Sequence, residues 1–123
     1  MNYTSIEQSK HLLEIGLNPN TADMCWFEGE PFIEKFGYEE ERAKTHRDCG
    51  MEMLPSWTSD KLMELMGDIR LLHYEGKFFC QYFADDFWDE YPSYATAEYD
   101  NSIDACFDMF CWLTEYKKIH EQN

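Results

Sequence analysis

The sequence predicts a small α+β domain: about three helices packed on a small antiparallel sheet that contains a hairpin near 69–83. Three observations carry this. "TSIEQSKHLLEIG" and "NSIDACFDMFCWLTEYKKIHEQN" place apolar residues at helical spacing behind capping residues. "IRLLHYEGKFFCQYFA" sets two β-rich apolar runs around a turn at Glu75 and Gly76. A chain of 123 residues with 44% apolar content suits one acidic domain, 1–123. At that length roughly two thirds of the unfolded surface can be buried without a metal or disulfide staple.

The elements follow in order. Thr4 with Glu7 three positions on reads as a capping box for the first helix. Ile6, Leu12, Leu13 and Ile15 give that helix its apolar surface, and Gly16 ends it. "LNPNTAD" turns the chain, and Met24 to Phe27 reads as packing residues in a short strand or irregular segment. "EPFIEKFG" suits a short helix with Pro31 in its first turn. "YEEERAKTHRD" has helix formers but almost no apolar face, which fits an exposed helix or a loop. Ser56 or Thr58 caps a helix carrying Leu62, Met63, Leu65 and Met66, with Gly67 as its stop. In the hairpin Ile69, Leu71 and His73 share one face, with register left open. The last helix starts at Asn101 or Ser102 and carries Ile103, Cys106, Phe107, Phe110, Leu113 and Tyr116 as a wide stripe. Asp104 and Asp108 near its start and Lys117 and Lys118 near its end complement the helix dipole.

Charge narrows the function classes. The net charge is −15, from 25 Asp and Glu against 10 Lys and Arg. Nucleic-acid binding needs a cationic footprint that displaces counterions, so direct binding is not expected. Anionic membranes are disfavoured for the same reason, and no apolar stretch approaches the roughly 18 residues of a spanning helix. The start of the chain lacks the pattern of a signal peptide. Five scattered cysteines, Cys25, Cys49, Cys80, Cys106 and Cys111, then read as reduced thiols in a cytoplasmic protein.

Motifs for chemistry are missing. From Asp85 an EF-hand loop would need Gly and Glu where Glu90 and Thr96 stand. Zinc could be assembled from Cys25, His46 and Cys49 with Cys80 or His73, but only "HRDC" offers a close ligand pair. No phosphate loop, dinucleotide fingerprint or zinc-hydrolase motif occurs. Any of His11, His46, His73 and His120 could serve a cysteine nucleophile as base, yet nothing marks one pair. No catalytic, cofactor-binding or metal residue is therefore assigned, and no cofactor is expected.

The distinctive surface signal lies late in the chain. Phe78 to Tyr116 holds nine carboxylates and no Lys or Arg, interleaved with Phe83, Phe87, Trp88, Tyr91, Tyr94 and Tyr99. Rings anchor interfaces while charges steer and select at the rim. Asp85, Asp86, Phe87, Trp88, Asp89, Glu90, Tyr91 and Tyr94 are the candidate protein-contact residues. The competing reading turns the rings inward and leaves a solvated acidic loop.

"YTSIEQSKHLLEIGLNPNTADM", "LPSWTSDKLMELM" and the "CFDMFCWL" helix resemble a group of small proteins of gut Bacteroidales genomes, often in prophage-like or mobile contexts. The resemblance spans about half the chain. It implies a bacterial accessory protein and carries over no catalytic or binding residue, because the group has no established activity. The expected function is a non-enzymatic accessory or protein-interaction domain with an acidic-aromatic surface for an unknown protein partner with a basic surface. A homodimer formed through sheet edges is a second expectation. The alternatives are a Cys/His-dependent enzyme or metal-binding protein, and an acidic nucleic-acid mimic.

Overall fold

Thr4 explains where the first helix begins. Its hydroxyl is fully buried, 2.7 Å from the Ser9 hydroxyl and 3.1 Å from that of Ser56, and it accepts the Trp57 backbone N–H. A side chain so engaged cannot cap, and the cap passes to Ser5. Ser5 Oγ accepts the Gln8 N–H and Gln8 Oε1 accepts the Ser5 N–H, a reciprocal capping box. This corrects the assignment of Thr4 and Glu7. Helix α1 (Ile6–Glu14) follows, and Gly16 at φ 99° lets the chain leave it.

The computed structural model describes residues 2–28, 33–34, 38, 40–50, 52–83 and 92–121. It is an α+β fold, as the sequence predicts, with the hairpin in the expected place. The chain forms two compact units. The stretch Tyr3–Lys61 makes one of them. There a 3-10 turn (Pro19–Thr21) leads into β1 (Met24–Phe27), which pairs antiparallel with both β2 (Ile33–Glu34) and β3 (Met53–Ser56). Ile33 and Glu34 are thus strand, not the short helix expected around Pro31. Their bonds come from Trp26 and Cys25, a partner no local pattern announces. Helix α2 (Glu41–Asp48) forms from the polar stretch. Cys25, Trp26 and Trp57 are buried, and the Trp26 indole N–H donates to the Thr4 carbonyl at 3.0 Å. Thr58 caps α3 (Ser59–Met66) through the Lys61 N–H, and Asp23 in turn accepts from the Thr58 N–H and hydroxyl.

The other unit comprises Met1–Asn2 and Leu62–Asn123. Its sheet has the order β4-β5-β6, formed by β4 (Ile69–Tyr74), β5 (Lys77–Tyr82) and β6 (Tyr94–Ala95), all antiparallel. Tyr74 pairs with Lys77 across the two-residue turn, where Glu75 and Gly76 both hold positive φ, 52° and 77°. Helix α4 (Ser102–Glu121) packs on β5. Asn101 caps it: its Oδ1 accepts the Asp104 N–H at 2.9 Å. Ile103, Ala105, Cys106, Met109 and Leu113 of α4 join Cys80 and Ile69 in the buried core. Among the described residues no helix is long and apolar enough to cross a membrane.

Candidate functional site

Of the candidate contact residues, only Tyr94 is among those described. Asp85, Asp86, Phe87, Trp88, Asp89, Glu90 and Tyr91 lie outside them. What the structure fixes is the ground on either side. Tyr82 closes β5 and Tyr94 opens β6, and the two are direct cross-strand partners. Ser93 N–H donates to the Tyr82 carbonyl at 2.7 Å, which reinforces the junction. The acidic run is therefore tied at both ends to adjacent positions on one sheet.

Those two tyrosines meet the last helix. Tyr94 stacks face to face on Trp112, with centroids 4.0 Å apart and planes 2° from parallel. Trp112 also stacks on Tyr116 one helical turn later, at 4.9 Å. Tyr82 completes the group, 5.7 Å from Trp112 and 5.5 Å from Tyr116. All four rings are half-buried. Stacked and edge-on aromatic pairs gain beyond the area they bury, so each ring holds its neighbour in place. The result is an aromatic platform formed by Tyr82 at the end of β5, Tyr94 at the start of β6, and Trp112 and Tyr116 of α4. Phe83, by contrast, is buried and serves the core.

Asp108 gives the platform a fixed negative neighbour. Its carboxylate accepts the Tyr99 phenol O–H at 2.6 Å. That hydrogen bond, with burial behind it, pushes the Tyr99 phenol up to about 12. Burial, and then Asp108, also raise Tyr94. Trp112, Tyr116, Tyr82 and Asp108 were not among the sequence candidates. Trp112 and Tyr116 look like ordinary stripe residues of an amphipathic helix, and only the stacking with Tyr94 separates them from the rest of the stripe.

The thiols read differently. Cys25, Cys80 and Cys106 are fully buried, Cys111 is half-buried and Cys49 is exposed. A hydrogen bond between the Cys80 and Cys106 side chains, and then burial, hold the Cys80 thiol above its ordinary range. Burial, and then Asp108, push Cys111 up to about 11. A nucleophilic cysteine needs the opposite shift, toward thiolate. His73 stacks on Phe78 at 4.1 Å. Among the described residues no three His, Cys, Asp or Glu gather where they could hold a metal ion.

In the Tyr3–Lys61 unit, Ile6, Lys10, Trp26, Glu52, Met53 and Leu54 line a small groove. Its volume of about 180 Å³ falls below the roughly 300 Å³ at which ordinary ligand pockets begin. Comparison with known protein families, with curated proteins and with solved structures gives no match to this chain.

Proposed function

We propose that the chain is a non-enzymatic interaction module, and that the face built on Tyr82, Tyr94, Trp112 and Tyr116 receives a basic segment of another protein. The stacking of Tyr94 on Trp112 carries this reading. It anchors the strand that follows the acidic run in the sequence against the helix. Arginine suits such a face twice over: its guanidinium stacks on aromatic planes and pairs with carboxylates. Asp85, Asp86, Asp89 and Glu90 would supply the long-range attraction, and the platform the anchoring contact.

The test uses an arginine–glycine repeat peptide as probe, with binding followed by titration calorimetry at low and moderate salt. The expected result is binding that weakens with salt and falls about tenfold or more when all four acidic residues are changed to their amides. Trp112→Leu should weaken binding while leaving the salt dependence in place. Absence of binding at low salt, or binding indifferent to the amide changes, would remove the proposal.

A further inference from the structure

Among the described residues, the hairpin leaves one strand of its sheet with an open side. In the order β4-β5-β6, β4 is the outer strand. Its register against β5 decides which backbone groups point outward. A two-residue turn is closed by a hydrogen-bonded pair, here Tyr74 and Lys77. Alternate residues then follow: Tyr74, Leu72 and Arg70 bond inward to β5, while Leu71 and His73 direct their N–H and C=O away from it. The β5 side agrees, since Phe78 and Cys80 turn their backbone groups toward Tyr99 and Thr96. At Ile69 the outward N–H is already taken by the Gly67 carbonyl at 2.7 Å. Among the described residues, the edge left for pairing is thus Leu71 and His73.

We propose that this edge pairs antiparallel with the same edge of a second copy, about a two-fold axis at Leu72. In that register Leu71 lies opposite His73 of the second copy, and each such pair exchanges both of its backbone hydrogen bonds. The register centred on Leu71 instead would oppose His73 to Ile69, whose N–H is committed to Gly67. Side chains select the same answer. Arg70, Leu72 and Tyr74 share one face, and Tyr74 is a large apolar side chain left 67% exposed. With the axis at Leu72, Arg70 falls opposite Tyr74 of the second copy, and Leu72 opposite its own counterpart. These are the non-hydrogen-bonded positions, where side chains come closest. Arg70 already places its guanidinium 5.0 Å from the Phe83 ring centroid, so stacking on an aromatic face is its habit in the single chain. Two reciprocal Arg–Tyr pairs flanking a Leu pair make the edge self-complementary, as an isologous interface requires. The rest of the molecule is strongly negative and opposes association, so pairing should strengthen as salt screens that repulsion.

Sedimentation equilibrium at rising protein concentration tests this. The expected result is a reversible dimer with a dissociation constant on the order of 10–100 μM, because a single strand junction falls short of a standard interface. It should tighten with added NaCl. Leu72→Lys places like charges on the axis and should weaken the dimer at least tenfold. In a Cys49→Ser background, oxidised Leu72→Cys should give a covalent dimer and Tyr74→Cys should not, since only position 72 meets itself. Amide exchange in the unaltered chain gives a readout independent of any variant: Leu71 and His73 should slow as concentration rises. A monomer at all concentrations, a dimer unmoved by Leu72→Lys, or edge protection independent of concentration would overturn the proposal. The last outcome would mean that the edge is covered within one chain.

Discussion

Thr4 gathers a buried cluster of polar contacts. Its hydroxyl meets Ser9, Ser56 and the Trp57 N–H, its N–H donates to the Trp57 carbonyl, and its carbonyl accepts from Trp26 and Ser56. Thr4→Val preserves volume but leaves the Trp57 N–H without an acceptor. The expected cost is about 2 kcal/mol in urea unfolding, against about 1 kcal/mol or less for Thr4→Ser, which keeps the hydroxyl. Equal losses would show that packing, not hydrogen bonding, governs the site. Tyr99 makes a second residue-level claim. Its phenol is held protonated in the folded state, up to about 12 against an ordinary value of 10. The stabilisation is therefore complete below pH 10 and is lost as pH climbs from 10 to 12. Thermal melts of Tyr99→Phe should decline less steeply across that window than those of the unaltered chain. Parallel curves would place the alkaline loss elsewhere, Cys111, pushed up to about 11, being a group that ionises earlier in the same window.

At the scale of elements, the hairpin turn is under mild strain that a substitution should relieve. Glu75 sits at φ 52° and Gly76 at φ 77°, the pattern of a mirror-image turn that favours Asn-Gly. Glu75→Asn should raise stability by about 0.5 kcal/mol, while Gly76→Ala should lower it by about 1 kcal/mol. A Cβ at Gly76 would meet nothing within 4 Å, so any loss measures backbone conformation alone. If Gly76→Ala were neutral in denaturant unfolding, the turn geometry would be wrong. The same hairpin shows what a sequence makes legible. Its two strands and turn lie within one short stretch, so their signals are local. Helix α4 is equally readable, from Asn101 as cap to its apolar stripe. The sheet of β1, β2 and β3 was not, because strands of two to four residues owe their pairing to segments far along the chain. Thr4 misled for a related reason: a good capping residue was claimed by a buried network whose partners lie at Ser9, Ser56 and Trp57. The aromatic platform was half legible. Tyr94 stood out beside the acidic run, whereas Trp112 and Tyr116 gained significance only when folding laid the helix on the strand ends.

For the whole molecule, charge balance sets the argument. Ten Lys and Arg cannot neutralise twenty-five Asp and Glu, and one-to-one pairing leaves fifteen carboxylates without a cationic partner. Repulsion among them is felt in the compact state and relieved on unfolding. Screening reaches about 30 Å in 0.01 M salt and about 8 Å in 0.15 M. Raising NaCl across that range should therefore increase the melting temperature, by about 3 °C or more, since shifts of that size correspond to about 1 kcal/mol in a chain of this length. The amide variant at Asp85, Asp86, Asp89 and Glu90 removes four of the negative charges and should show a smaller rise. It should also lose the basic peptide, which ties the two effects to one group of side chains through different measurements. A melting temperature that is flat or falls with salt would mean that attractive ion pairs outweigh the repulsion. The acidic run would then have to be explained by local pairing, not by its reach toward a partner.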